Sequence, residues 1–389
     1  MTNLLGESNW MKIVDVKMTP LFCRFKQPYF WAQGRHDGAR IALIQVETDQ
    51  GIVGYGEVPS TMMPLEPIML FLETAQKILV GRSVCEISPL MREIFTESFG
   101  IETASHSSPR IANQIFAGVE IALWDALGKT INLPVYDILG GRIHEEIGYF
   151  GFIQGDTVSE LASHAKGLSD NGFEVLYLKV GRGREFDFQA TEAVRNAIGN
   201  KRLRIDPNEA WSTLQAENMI MKLSQFDIEM VEQPISAMSG VQGLKALRAN
   251  CSVPLAADQS IFTPEEAETI CSSGAVNLVT VGLHETGGIL GFKKVAAIAE
   301  VFSIDICLHG VFETGITTSA SFQVAATIPN LDDGNQIMCQ LLEEDLVLKP
   351  DLKPNLGKIK HQNGPGLGFE LNLDAVNRAK EAYENFKGS

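Results

Sequence analysis

The chain has 389 residues, with 32 Lys+Arg against 48 Asp+Glu and a formal net charge of −16. At about 100–200 residues per domain it has room for two or three domains, or for one barrel of about 250 with an extra unit. The acidic balance argues against a nucleic-acid backbone or an anionic membrane as the main partner, because both select basic surfaces, and no window approaches the length and apolarity of a membrane span.

MTNLLGESNW has no basic flank and no long apolar run, so a signal peptide is not expected. MKIVDVKMTPLFCRF and ARIALIQVETDQGIVGYGE show β-branched alternation broken at Asp49–Gly51, which predicts strands joined by a tight turn. Between them QPYFWAQGRHDGA (27–39) is polar, aromatic and glycine-containing, and reads as a surface loop of the kind that serves as a lid. Helical patterns follow. EPIMLFLETAQKILVG runs from about Glu66 and stops at Gly81, and PRIANQIFAGVEIALWDALGKTINL starts near Pro109. LGG at 139–141 closes this α+β region.

From about 147 short apolar runs alternate with amphipathic stretches. The runs are IGYFGFI, EVLYLKV, RLRID, IEMVE, PLAAD, VNLVTV and IDICLH. Strand, helix, strand with short connections predicts a parallel sheet with right-handed crossovers. The polar residues that close the runs are Lys179, Asp206, Glu232, Asp258, His284 and His309, at steps of 27, 26, 26, 26 and 25. That is the length of one strand–helix unit. Seven or eight such units close a barrel, and these residues would then line the C-terminal rim where barrel active sites are built. An open dinucleotide-binding sheet is the alternative, weakened by the absence of G-x-G-x-x-G after a strand. A tail from about 345 carries PNLGKI, GPGLGFELN and a last helix, DAVNRAKEAYENF.

Asp206, Glu232 and Asp258 fall on successive strand ends. Converging there, three carboxylates would repel one another. A hard divalent cation resolves this, and oxygen ligands without Cys or His point to Mg²⁺ ahead of Mn²⁺. The bland alternative is that each caps a helix or pairs with a surface lysine. Lys179, one strand earlier, is a candidate general base if burial and a neighbouring cation favour its neutral form. His309 is a candidate second acid or base on the far side. Asp332 and Asp333 lie near the expected eighth strand, either facing substrate or acting as turn acids. The six cysteines show neither C-x-x-C nor zinc spacing, which suits reduced thiols in a cytoplasmic protein.

Several of these segments resemble the enolase superfamily, in the branch of mandelate racemase, muconate lactonizing enzyme and sugar-acid dehydratases. TDQGIVGYGE resembles its first hairpin, and AGVEIALWDALGKTINLPVYDILGG the helix and link into the barrel. LYLKVG, RIDPNEAW, MVEQP and PLAADQS resemble the second to fifth strand ends, and GPGLGFEL the closing segment. The resemblance implies an α/β fold with a modified TIM barrel, (β/α)₇β, at 141–345. An α+β capping domain at 1–140 would be joined by the returning segment 346–389. It implies one Mg²⁺ per subunit on Asp206, Glu232 and Asp258, and Lys179 as base, with Tyr177 and Asn208 beside them. It also implies a capping loop at 27–39 whose Tyr29 and Trp31 contact substrate, a small carboxylate, and a homo-oligomeric assembly.

The sequence departs from the pattern in places. Tyr177 stands where the motif Lys-x-Lys has its first lysine. The sixth strand end, VTVGLHETGG, has no lysine between Leu278 and Gly288, and Gly282 stands where a histidine-partnering aspartate is usual. His284 or Glu285 is the candidate substitute. Gln259 follows Asp258 where relatives often carry Glu. The expected chemistry is proton removal α to a carboxylate, giving an enediolate. Dehydration of a hydroxy acid, sugar acid or hydroxy amino acid comes first, because a histidine without a carboxylate partner suits a general acid. The alternatives are a racemase or epimerase using Lys179 and His309, and a non-catalytic Mg²⁺-carboxylate binding protein on the same scaffold.

Overall fold

Three antiparallel strands, β1 (Ile13–Trp31), β2 (Gly34–Thr48) and β3 (Val53–Pro59), pair in that order at the start of the computed structural model, in which residues 11–32, 34–61, 63–99, 108–361 and 363–387 are described. The N-terminal MTNLLGESNW lies outside the described residues. The expected loop at 27–39 is instead the tip of a hairpin, with Tyr29 opposite His36 and Trp31 opposite Gly34. Pro28 explains the difference. It cannot donate to a ladder, and it sits within a register shift between Arg24 and Tyr29, after which the strand resumes.

Helices α1 (Leu65–Leu79), α2 (Ile87–Phe99) and α3 (Ser108–Ile131) cover this sheet. At the crossing of β3 and α3 the backbones nearly touch. A Cβ on Gly56 would lie 2.0 Å from the Gly118 carbonyl oxygen, so a side chain there would force the layers apart. A single-turn helix, α4 (Val135–Ile138), leads out of the region.

The run IGYFGFI divides. Its first part is β4 (Glu146–Gly148), and β5 (Gly151–Phe152) opens a parallel sheet. The sheet continues through β6 (Val175–Lys179), β7 (Arg202–Asp206), β8 (Ile228–Glu232), β9 (Leu255–Ala257), β10 (Leu278–Val281) and β11 (Asp305–Leu308) in sequence order. The segment after β11 meets both edges. Leu331 bridges Ile306 and Asn335 bridges Tyr149, both parallel, so the sheet curls closed as a barrel. Outside it lie α5 (Val158–Asp170), α6 (Arg184–Ile198), α7 (Thr213–Leu223), α8 (Gly240–Asn250) and α9 (Pro264–Ser272). They are followed by α10 (Leu283–Thr286), α11 (Ile289–Val301) and α12 (Gly315–Ala325). Thr157, Ser212 and Thr263 start α5, α7 and α9 with reciprocal capping boxes to Glu160, Gln215 and Glu266. No helix among the described residues is long and apolar enough to cross a membrane.

Two buried carboxylates dock the N-terminal layer onto the barrel. Glu57 of β3 accepts from the amides of Thr314 and Thr317 at 2.8 and 3.0 Å, at the start of α12. Glu120 of α3 accepts from Ile289 and Leu290 at 2.7 and 3.1 Å, at the start of α11. Each satisfies orphan amides at a helix N-terminus, where a negative charge is favoured. Burial nonetheless pushes both carboxyls up to about 7. The tail adds β12 (Val347–Lys349), which pairs with β14 (Glu370–Leu371), and β13 (Lys358–Lys360), which pairs with β4. Helix α13 (Leu373–Lys387) packs on β1.

The barrel floor is ionic. Arg204 of β7, 1% exposed, bonds Glu229 at 2.7 Å, Asp332 at 2.6 Å and the Gly334 carbonyl at 3.1 Å. Arg202 joins Glu229, Asp332 and Asp333. Asp332 and Asp333 therefore face the entry end of β7, and they do not reach the rim where substrate would lie. Removing one partner of such a network leaves uncompensated buried charge. Arg204→Ala is expected to cost about 3–5 kcal/mol in urea unfolding. A loss below about 1 kcal/mol, the scale of an exposed pair, would show that the floor does not hold the barrel closed.

Candidate active site

Lys179, Asp206 and Glu232 are the last residues of β6, β7 and β8. Asp258 and His309 directly follow β9 and β11. In a strand, residues two apart share a face, so Tyr177 points inward with Lys179. Lys179 Nζ and the Tyr177 hydroxyl both donate to Asp206 Oδ2, the second at 2.7 Å. Asp206 Oδ1 accepts from the amide of Asn208 at 2.6 Å. Asn208 and Glu209 both have positive φ, 45° and 64°, which folds the chain sharply over the strand end.

On the other side His309 Nδ1 hydrogen-bonds Glu285 Oε2 at 3.2 Å. Asp258 Oδ1 lies 2.9 Å from the same nitrogen, an ion-pair contact off the N–H direction that leaves this oxygen without a hydrogen bond. The Gln259 side chain donates from Nε2 to Asp258 Oδ2. Glu285 reaches inward because the chain leaves β10 at Val281 and turns once as α10, held by Glu285 Oε2 accepting from the Gly282 amide at 2.6 Å. Gly282 is required here, since a Cβ would lie 2.8 Å from the His309 carbonyl oxygen.

His284 occupies the same turn but faces away. Its ring nitrogens meet the Gln114 carbonyl and Thr317 Oγ1, both at 3.1 Å. Burial lowers its pKa to about 4, so it is a neutral imidazole in a packed interface. The expectation that it would serve the site is corrected. The regular step counted a sixth strand end at 284, whereas the strand stops before Gly282 and the next residues are helical.

The electrostatics follow from burial. Glu232 is 0% exposed and pushed up to about 7, by burial first and then by the charge of Asp206. Burial pushes Asp258 well up, although His309 beside it opposes this. Burial alone would lower Lys179 and His309. The charge of Asp206 outweighs it at the lysine, and the charges of Asp258 and Glu285 outweigh it at the histidine. Both therefore stand as cations, so Lys179 is not neutral in this arrangement, as a base would be.

Whether a cation belongs here can be judged from the oxygens. Both oxygens of Glu232, one of Asp258 and the Asn208 side-chain carbonyl are buried without a hydrogen-bond donor. Fully ionised, Asp206, Glu232, Asp258 and Glu285 would outnumber the cations Lys179 and His309 by two charges, the charge of one divalent ion; burial holds Glu232 and Asp258 up toward the protonated form in its place. Single donor atoms of Glu232, Asp258 and His309 lie within 4.8 Å of one another, a cluster that does not include Asp206, whose Oδ2 is held by Tyr177 and Lys179. The bare oxygens of Glu232, Asp258 and Asn208 are of the kind that suits a hard divalent ion such as Mg²⁺.

Above the site stands an aromatic roof. Tyr29, 3% exposed, stacks on Phe152 with centroids 5.4 Å apart and meets Phe312 edge-on at 5.2 Å. Trp31 approaches Phe312 at 6.3 Å, and its indole N–H is buried and unpartnered. Phe152 and Phe312 escaped sequence reasoning. One lay inside an ordinary apolar run, and the other followed a strand end with no pattern around it.

Comparison with known proteins adds the following. Residues 13–140 match the family described as mandelate racemase / muconate lactonizing enzyme, N-terminal domain, and residues 160–375 match the family described as enolase C-terminal domain-like. A protein named hydrophobic dipeptide epimerase from Enterococcus faecalis is 30% identical over 82% of this chain and 89% of its own length. N-succinyl-L-Arg/Lys racemase from Bacillus cereus is 26% identical over 94% and 97%. Other relatives are named muconate cycloisomerase and probable glucarate dehydratase. A solved structure of the Enterococcus faecalis dipeptide epimerase, complexed with Mg and the dipeptide L-Leu-L-Tyr, superposes with a TM-score of 0.83 at 27% identity. It covers 92% of this chain and 100% of that one.

The unpartnered carboxylate oxygens make metal addition a stability experiment. Saturating Mg²⁺ at 100 times its dissociation constant is expected to stabilise the fold by about 2.7 kcal/mol. Glu232→Gln should abolish that gain in thermal unfolding. An equal Mg²⁺ response in the variant would show that the ion binds elsewhere.

Proposed function

The chain belongs to the mandelate racemase / muconate lactonizing enzyme family, and from that premise we propose that it is a racemase or epimerase of an α-substituted carboxylate. Lys179 removes the α-proton on one face, and His309 returns one on the other. The observation that carries this reading is the placement of two proton-transferring groups on β6 and after β11, either side of the carboxylates at the ends of β7, β8 and β9. Asp206, Glu232 and Asp258, with Asn208 close by, would hold Mg²⁺. When bound, the ion would supply positive charge to the carboxylate oxygens on which negative charge develops.

The rest falls to this chain's own side chains. Lys179 would have to give its own proton to solvent before it could accept the substrate's. Asp206 turned toward a bound cation would stabilise the ammonium less and so favour that loss. The Tyr177 hydroxyl donates to the same Asp206 Oδ2 as the lysine and would keep that oxygen partnered when the lysine lets go. Glu285 would hold His309 by Nδ1, leaving Nε2 to face substrate. Tyr29 and Trp31 would exclude water, protecting the carbanionic species from bulk solvent.

Dehydration of a hydroxylated carboxylate is the second reading, using Lys179 as base and His309 as the acid that protonates the leaving hydroxyl. It leaned on a histidine with no carboxylate partner. Glu285 supplies one, and a supported imidazole serves as readily in a second-base role. Relatives named epimerase and racemase support the first reading, and the probable glucarate dehydratase supports the second. On either reading the protein is a cytoplasmic homo-oligomer with one Mg²⁺ per subunit and a small carboxylate as partner.

Solvent-exchange NMR in D₂O separates the outcomes. Racemisation places deuterium at the α-carbon of both stereoisomers without loss of water. Lys179→Ala and His309→Asn should each abolish interconversion, with losses of about 10²–10⁴-fold or more. His309→Asn should still exchange the α-proton of the one stereoisomer that faces Lys179. Release of water with formation of a 2-oxo acid would replace this reading with the second.

A further inference from the structure

Phe312 lies three residues beyond His309, in the loop between β11 and α12, and its φ is +62°. A bulky side chain rarely adopts that region, and such strain persists where the surroundings over-determine it. The surroundings are rings of the β1–β2 hairpin. Phe312 meets His36 at 5.0 Å, Tyr29 at 5.2 Å, Phe25 at 5.6 Å and Trp31 at 6.3 Å. Tyr29 in turn stacks on Phe152 of β5, whose ring lies 6.0 Å from Lys179 Nζ. One side chain of the barrel rim thus joins the hairpin tip to the loop that carries His309.

The chemistry of this wall is one-sided. It offers ring faces and edges together with one buried, unpartnered indole N–H, on Trp31. Burial and the nearby Arg40 lower the pKa of His36, so it adds an imidazole without charge. Arg182 also stacks near the hairpin, on Phe30, which points to the opposite face of β1. Its guanidinium is spent on the Gly155 carbonyl at 3.1 Å and on Asp156 at 2.7 Å. Ring faces carry partial negative charge and repel an anion.

Resting on the reading that a carboxylate binds beneath this roof, we infer that Phe312 is a specificity-determining residue. With Tyr29, Trp31 and Phe152 it forms the pocket for the part of the substrate remote from the reacting carbon. That part is an uncharged apolar group, alkyl or ring, and not a second carboxylate. Tethering by Phe312 keeps the hairpin tip over the site while this group is bound.

The test uses two probe carboxylates of similar length, 3-phenylpropionate and glutarate, with acetate as a probe that has no distal group. Binding is measured by calorimetry on the full chain with saturating Mg²⁺. The inference expects 3-phenylpropionate to bind at least about tenfold more tightly than glutarate. Phe312→Ala should weaken it about tenfold while leaving acetate unchanged, and Phe312→Leu should retain most of the affinity. Equal or tighter binding of glutarate, or no effect of Phe312→Ala, overturns the inference while leaving the carboxylate site standing. Failure of all three probes to bind counts against the site itself and takes this inference with it. Acrylamide quenching of Trp31, with Trp31→Phe as the blank, needs no ligand. Quenching should rise in Phe312→Ala, and an unchanged value would remove the tether.

Discussion

Everything at the rim of the barrel answers to one constraint, a row of four buried carboxylates in which Asp206 acts on Glu232, and Glu232 and Glu285 act on Asp258. Isolated in a dry interior, ionised carboxylates are among the most costly groups a protein can contain. Lys179 settles on Asp206 and His309 settles between Asp258 and Glu285, while Glu232 is left with both oxygens bare. The same charges that build a metal centre thus hold the two candidate proton carriers in place. In this arrangement both carriers are cations, so proton abstraction requires Lys179 first to lose its own proton, which weaker pairing with Asp206 would favour.

The barrel serves this centre by division of labour along its axis. At the floor, Arg204 and Arg202 knit β7 to the closing segment through Glu229, Asp332 and Asp333. At the rim, charge is left unbalanced. The N-terminal layer is fastened by Glu57 and Glu120 to the starts of α12 and α11, the helices that follow the His309 loop and the Glu285 turn. Docking of the outer layer and placement of the second proton carrier are therefore parts of one contact.

Much of this was legible in the sequence where chemistry and strand period coincide. Lys179, Asp206 and Glu232 each close a strand at the rim, where the last inward-facing side chain meets the site. The period failed at His284, where Gly282 allows the chain to turn a helix and point Glu285 inward instead. Sequence alone left open which of the two neighbours would serve, because a single turn exchanges their directions. The hairpin tip was hidden by Pro28 and its polar neighbours, whose strand character depends on pairing across the turn. Helix α12 was hidden because it is buried on every side and shows no amphipathic stripe. Phe312 was illegible for a similar reason. Its partners lie some 280 residues earlier in the chain, and nothing local marks it.

The central claim is that Asp206, Glu232 and Asp258 hold a divalent cation while Lys179 and His309 stay free to move protons. Anomalous diffraction from crystals soaked in Mn²⁺ tests it most directly. A single peak bonded to oxygens of those three carboxylates, with no nitrogen ligand, is the predicted result. A peak bonded to Glu232, Asp258 and a His309 nitrogen, the cluster whose donor atoms lie together among the described residues, would contradict it by removing the histidine from proton transfer.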